Sequence, residues 1–273
     1  MASVTWGELP AAVRAAVEER TGPVSAAGTA GEGYGSDLAA VVTTRGGRVF
    51  VKGLPADDPR AWSLDTEAAI SPHVRQIAPD LLWEIRAAGW IVLGFEHIDG
   101  RSYADQRPGS ADLGKMLAVL RALDQIPAPD VLEVTAAQWW GQHLSDHAQA
   151  AALAGDHLVH RDPNPTNFVV TAGRAYLVDW GWAVRGPAWL NPALLVLSLL
   201  EAGWEITAAE DCAQRIPSWA TATPHAVSVF AAANAAMWDQ TTAGDPDWAM
   251  RYRADVARRW AGHRAQVRDA ADQ

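Results

Sequence analysis

The chain has 273 residues, 49% of them apolar, and a formal net charge of −10. Size and composition support a sizeable buried core and exclude global disorder, while the acidic balance argues against nucleic acid, whose phosphates are met by basic surfaces. A single cysteine, Cys212, excludes an intramolecular disulfide and a multi-cysteine zinc site, and is expected as a small core residue.

At the start, "MASVTWGELPAAVRAAVEER" lacks the basic segment and apolar run of a secretory signal. Its second half, "ELPAAVRAAVEER", is expected as a short helix, with Leu9, Val13 and Val17 at fourfold spacing. A glycine-dense stretch follows, with Gly28, Gly31, Gly33 and Gly35. Two β-prone runs, "DLAAVVTT" and "RVFVKG", then flank Gly46-Gly47 and predict a hairpin. Residues 57–75 carry a helical pattern through Leu64, Glu67, Ala68 and Ile70. "LLWEIRAAGWIVLGFEHIDG" predicts two more strands around Ala87-Ala88-Gly89.

From about residue 110 the pattern turns helical. "SADLGKMLAVLRALDQI" is amphipathic, and "AAQWWGQHLSDHAQAAALAG" is expected as another long helix. Two short apolar runs, "NFVV" and "AYLVDW", are split by Ala172-Gly173. The longest apolar stretch, "AWLNPALLVLSLLEAGW", is broken by Asn191 and Pro192 and ended by Glu201. It is too short to span a membrane and is expected as a buried helix from near Pro192. The rest is expected to be helical, with breaks near Pro217, Pro224 and Gly244-Asp245-Pro246. The fold class is therefore α+β in two lobes: residues 1–98 as a small antiparallel-sheet lobe, residues 99–273 as a larger, mainly helical one, and a connector near 96–101. A cytoplasmic protein is expected.

The chemistry concentrates in "HLVHRDPNPTNFVV", residues 157–170. His160-Arg161-Asp162 followed by Asn167 fits the catalytic-loop pattern H-R-D-x-x-x-x-N. That spacing lets a loop aim Asp162 at an acceptor hydroxyl while Asn167 turns toward a metal ion. Pro163 and Pro165 stiffen the loop, and Val169 and Val170 are expected to anchor it. A short hairpin downstream, "AYLVDWG" ends an apolar run with Asp179, a position suited to holding Mg²⁺ through hard oxygen.

Taken together, these segments resemble the aminoglycoside phosphotransferase family, a branch of the protein-kinase-like fold that includes choline and related small-molecule kinases. The resemblance runs from about residue 20 to 260 and is strongest over 157–192, where Asp179-Trp180-Gly181 stands for Asp-Phe-Gly. It implies Asp162 as catalytic base, Asn167 and Asp179 as metal ligands, and His160 as a structural member of the loop. Lys52, a costly residue among the apolar neighbours of "RVFVKG", matches the strand lysine that pairs with α- and β-phosphates. Glu67 is its expected ion-pair partner, with Asp65 the rival. "GTAGEGYGSD" stands where the family has its phosphate-covering loop, so Gly31, Gly33 and Ser36 are expected near the phosphates. Backbone groups of Glu96, His97 and Ile98 are expected at the purine edge. Arg161 stands where many small-molecule members have glycine, and reads equally as a structural cation or an acceptor contact.

The implied activity is ATP- and magnesium-dependent transfer of phosphate to a hydroxyl of a small molecule, with GTP as the alternative donor. The implied settings are antibiotic resistance, self-protection or biosynthetic tailoring. Two alternatives are a kinase for Ser or Thr of a modified peptide and a catalytically silent nucleotide- or peptide-binding module. Glu201, Glu205, Asp211, Asp239 and Asp245 are candidate carboxylates for a cationic acceptor, and Trp182, Trp189, Trp204 and Trp238 candidate stacking surfaces. No membrane partner is expected, and nothing in the sequence fixes an oligomeric state.

Overall fold

A computed structural model describes residues 4–30, 36–244 and 247–271. Two compact units emerge, Met1–Arg101 with Thr171–Trp182, and Ser102–Val170 with Ala183–Gln273.

The first unit is built on a five-stranded antiparallel sheet in the order β1-β2-β3-β5-β4. Its strands are β1 (Ala26–Thr29), β2 (Leu38–Thr44), β3 (Gly47–Pro55), β4 (Leu81–Ala87) and β5 (Trp90–Glu96). The β4–β5 turn consists of Ala88 and Gly89, both at positive φ (48° and 78°), as a tight two-residue hairpin requires. Strand periodicity then splits the side chains between two cores. Helix α1 (Ala11–Thr21) starts after Pro10 and stops at Gly22, whose N–H bonds to the Glu18 carbonyl. It buries Val13 and Val17 against Val42, Val51 and Val92. The second core gathers Leu54 and Leu93 with Ala61 and Leu64 of α2 (Ala61–Val74). Lys52, two residues before Leu54 and paired in register with Leu93, belongs to this α2-facing row. Strand β1 was not expected, because alanine and glycine give no β-prone pattern. Within 171–182 lies β6 (Ala175–Leu177), whose Leu177 N–H bonds to the Ile77 carbonyl.

In the second unit, α3 (Ala111–Leu123) is capped by Ser110, which accepts from the Asp112 N–H. The long helix expected over 136–155 does not form. Helix α4 (Ala136–Gly141) is followed by a separate 3-10 turn, His147–Leu153. Asp146 caps that turn by accepting from Ala148 N–H, and the His147 ring bonds to the Gly141 carbonyl. Ala150 folds back so closely that a Cβ on Gly141 would meet its methyl at 2.5 Å. Two short strands, β7 (His157–Val159) and β8 (Val184–Gly186), pair antiparallel, and β9 (Phe168–Val170) follows the catalytic-loop motif. Both Phe168 and Val170 are buried while Val169 is only partly so, which corrects the expected anchor Val169 to Phe168. Helices α5 (Leu190–Glu201), α6 (Ile206–Ala213), α7 (Pro224–Thr241) and α8 (Trp248–Ala271) complete the unit. Trp140, Trp189 and Trp260 surround Phe230, with ring centroids 5.1–6.2 Å from it. Trp189 is thus a core side chain, not a stacking surface for an acceptor. Among the described residues no helix is long and apolar enough to cross a membrane.

Candidate active site

The first unit assembles three of the expected residues. Lys52 and Glu67 have side chains only 8% and 4% exposed, and Lys52 Nζ lies 2.5 Å from Glu67 Oε2. Its other partner, Asp179, offers Oδ1 at 2.9 Å. Helical phase chooses between the two acidic candidates on α2. Glu67 falls in the buried stripe with Leu64, Ile70, Ser71 and Val74, whereas Asp65, two residues away, is exposed and pairs with Arg86. The same Glu67 also accepts from the Trp180 N–H at 3.3 Å through Oε1, so one carboxylate holds both the lysine and the Asp-Trp-Gly segment.

Burial alone would lower the Lys52 pKa, but the charges of Asp179 and Glu67 outweigh it and raise the ammonium above its ordinary 10.5. Burial and the nearby Asp179 push Glu67 up, while Lys52 pulls it back. Asp179 occupies the left-handed region at φ 67°, which asparagine and aspartate tolerate better than most residues. Its side chain stays 32% exposed. Next to it, Gly181 packs so tightly on α2 that a Cβ would stand 2.8 Å from the Ser63 carbonyl oxygen. Trp182 packs edge-on against Trp62 at 4.9 Å.

Ser36 is partly buried just before Asp37, whose side chain pairs with Arg60 at 2.6 Å. Gly31 and Gly33 lie outside the described residues. Glu96 ends β5 with its N–H on the Asp80 carbonyl. The half-exposed His97 has a buried Nε2 without a hydrogen-bond partner, and burial followed by the Arg48 charge lowers its pKa. Ile98 is half-exposed beside it.

The second unit carries the loop. Here His160 is fully buried, with its N–H on Asn191 Oδ1 at 3.1 Å, and Asn191 Nδ2 donates to the Leu158 carbonyl at 2.9 Å. A buried asparagine at the start of α5 thereby clamps the strand that delivers the loop. The sequence offered one sign of this, a polar residue inside an apolar run. His160 Nδ1 in turn accepts from the Asp162 N–H at 3.3 Å. Asp162 is exposed, and Asn167 Nδ2 donates both to its backbone oxygen (2.9 Å) and to its Oδ2 (3.2 Å). Pro163 is buried, and the Pro165 carbonyl accepts from Ala104 N–H.

Arg161, at φ 75°, stacks its guanidinium 3.5 Å from the centroid of the Trp139 ring. Burial brings its pKa down to about 9, against the upward pull of Asp162. Of the acceptor candidates, Glu201 pairs with Arg253 at 3.3 Å and Asp239 with Arg258 at 2.6 Å. Glu205 and Asp211 are exposed. Trp204 Nε1 donates to the Gln106 carbonyl, and Trp238 faces the Arg253 guanidinium. Asp245 lies outside the described residues. Trp139 and Arg253 were not singled out from the sequence, and Asn191 only as a break in an apolar run.

No known family profile matches the sequence. No curated protein matches it either. Solved structures do share its fold. Choline kinase LicA from Streptococcus pneumoniae is 14% identical, with a TM-score of 0.62 over 92% of this chain and 99% of that one. A thermostable mutant of the aminoglycoside phosphotransferase APH(4)-Ia, in ternary complex with AMP-PNP and hygromycin B, is 15% identical, with a TM-score of 0.62 over 91% and 98%. An aminoglycoside phosphotransferase from Alicyclobacillus acidocaldarius is 16% identical, with a TM-score of 0.57 over 95% and 97%. At such identities the likeness establishes the kinase-like α+β fold.

Proposed function

We propose that this protein is a small-molecule kinase that transfers the γ-phosphoryl group of ATP to an acceptor hydroxyl. The observation that carries the proposal is the buried Lys52 ammonium held by Glu67 and Asp179, residues far apart in sequence. An expensive cation fixed beside a partly exposed carboxylate suits the phosphates of a nucleotide. Structures of the same fold hold AMP-PNP with hygromycin B, or belong to a choline kinase, which supports a nucleotide donor and a small acceptor.

In this reading Lys52 neutralises charge on the α- and β-phosphates, and residues 1–98 form the nucleotide lobe. Ser36 with Gly31 and Gly33 would cover the phosphates, and the backbone of Glu96, His97 and Ile98 would meet the base of ATP or GTP. Residues 99–273 supply the reaction loop. Asp162 orients the hydroxyl, whose oxygen attacks the γ-phosphorus as the bond to the β-bridging oxygen breaks. The proton passes to the Asp162 carboxylate and ADP leaves. Asn167 steadies that carboxylate from the side. Asp179 in the first unit and Asn167 in the second each offer a hard oxygen of the kind Mg²⁺ takes, and each is proposed as a metal ligand. Magnesium would supply charge neutralisation on the transferring group. The proposed setting is antibiotic inactivation or tailoring of a biosynthetic intermediate in the cytoplasm. The silent-module alternative is disfavoured because Lys52, Asp162, Asn167 and Asp179 are all present in the sequence.

The test is ADP release with Mg²⁺-ATP over a panel of hydroxyl compounds, run beside Asp162→Asn. The variant should lose roughly 10²–10⁴-fold in kcat, the usual share of a general base, with nucleotide affinity unchanged. Wild-type turnover by Asp162→Asn would sink the proposal.

A further inference from the structure

Lys52, Glu67 and Asp179 come from a strand, a helix and the segment after β6, and the first unit must hold the three in register. One side chain outside the triad ties two of these elements together. Arg60 is the residue before α2, at its N-cap position. It makes no side-chain cap there, and a helix dipole disfavours a cation at its start, so helix stability does not account for it.

Its guanidinium instead reaches two carboxylates. Nε and Nη2 donate to the two oxygens of Asp58 at 2.9 and 2.8 Å, the bidentate fork that arginine and carboxylate share. Nη2 also donates to Asp37 Oδ1 at 2.6 Å. The Arg60 side chain is 17% exposed, against 55% for Arg86, which ties the same helix to β4 through Asp65 and Glu84. An open pair of the Arg86 kind is screened by water and weak, whereas a sheltered fork is not.

Both anchors of Arg60 lie close to the triad along the chain. Asp37 stands at the head of β2, with its N–H on the Gly53 carbonyl at 3.2 Å, and Ala39, two residues on, is the register partner of Lys52. It also directly follows Ser36, one of the residues proposed over the phosphates. Asp58 opens the turn into α2. Its carbonyl accepts from the Ala61 N–H at 2.9 Å, and the Arg60 carbonyl from the Ser63 N–H at 2.8 Å. Pro59 stiffens this turn. Ser63 is the residue whose carbonyl faces Gly181, and Glu67 lies one helical turn beyond it on the same buried face. A helix transmits a shift of its first turn along its length, so slippage of α2 against β2 would move Glu67 against Lys52.

We infer that Arg60 is a positioning residue for the nucleotide site, locking the head of β2 to the start of α2 so that Lys52 and Glu67 meet. This inference rests on the phosphotransferase reading above. It assigns Arg60 no contact with substrate.

The experiment titrates the full chain with Mg²⁺-ADP by calorimetry, under conditions where urea denaturation shows each variant folded. Absence of binding by wild type defeats the phosphotransferase reading itself, and the inference with it. With wild type binding, Arg60→Gln should weaken ADP about tenfold, the scale of a residue that acts on a ligand through its neighbours. Asp37→Ala should weaken it in the same direction, and the double variant no further than Arg60→Gln alone, because both changes open one contact. Arg86→Gln, which loosens α2 only on its exposed side, should bind as wild type does. A folded Arg60→Gln protein with wild-type affinity overturns the inference, since a merely structural ion pair changes stability and leaves the Kd of the folded protein alone. Equal losses in Arg60→Gln and Arg86→Gln overturn it too, by assigning the effect to the attachment of α2 at large. So do fully additive losses in the Asp37 and Arg60 variants. Should Arg60→Gln not fold, Asp37→Ala carries the test, because it leaves the Asp58–Arg60 turn intact. Weaker ADP binding by that variant then upholds the inference, and unchanged binding overturns it.

Discussion

A lysine with 8% of its side chain exposed, on a strand paired on both sides, cannot stay charged without partners. Lys52 has two, and their combined attraction lifts its pKa above the ordinary 10.5 despite burial. The sign of the linkage follows. The stabilisation is complete below the ordinary lysine value and is lost only as pH rises through the raised one, so at neutral pH the pair is intact. Removing one member of a buried pair costs more than removing both, because a charge is left stranded. Lys52→Met should therefore lower the unfolding free energy by about 3–5 kcal/mol in urea denaturation. Adding Glu67→Gln should return part of that loss, because the stranded carboxylate disappears. A Lys52→Met protein as stable as wild type would mean that the triad contributes nothing net. At this scale much was legible. A lysine in "RVFVKG" announces its own cost, and the apolar phase of residues 64–74 puts Glu67, not Asp65, on the buried face. Less legible was Arg161. A positive-φ arginine stacked on Trp139 depends on a contact between residues twenty-two positions apart, which no local pattern encodes.

Elements place these residues, and the tightest fit is between α2 and the segment after Asp179. Gly181 sits against the Ser63 backbone, and Trp180 gives its N–H to Glu67. A methyl at 181 would stand 2.8 Å from a backbone oxygen that cannot rotate away. Gly181→Ala should cost about 1–3 kcal/mol through overpacking and displace Asp179 from Lys52. The expected readout is a larger loss of Mg²⁺-ADP affinity than of stability, compared by calorimetry and urea denaturation. Unchanged ADP affinity would show that the α2 contact does not set the position of Asp179. The missed elements share a cause. The break in residues 136–155 comes from Asp146 capping a new turn and Ala150 folding onto Gly141, while alanine propensity in "AQAAALAG" favoured a continuous helix. β1, β7 and β8 are short, and each exists because a partner strand is there to receive it.

At the scale of the molecule, the α+β class, with strands first and helices after, follows from hydrophobic period, since amphipathic helices and glycine-turned hairpins are local signals. The return of residues 171–182 to the first unit does not, because it depends on packing against α2. That return has a thermodynamic consequence. It places Lys52 and Asp179 in one unit, so a nucleotide held by them stabilises the state in which that unit is folded. At a hundredfold excess over Kd the gain is about 2.7 kcal/mol. For a chain of this size that corresponds to a rise in Tm of roughly 5–10 °C. Cys212 supplies an independent probe of the other unit, because it is buried in α6 and burial holds its thiol pKa above the ordinary value. It should resist a thiol reagent until the second unit unfolds. Mg²⁺-ADP is expected to raise the Tm of wild type, and Asp179→Ala to abolish that rise. If Cys212 labelling is delayed by the same increment, the two units unfold together. If only the fluorescence transition moves, they unfold apart, and the nucleotide stabilises the first alone. A full shift surviving in Asp179→Ala would remove Asp179 from nucleotide binding and with it the proposed metal ligand.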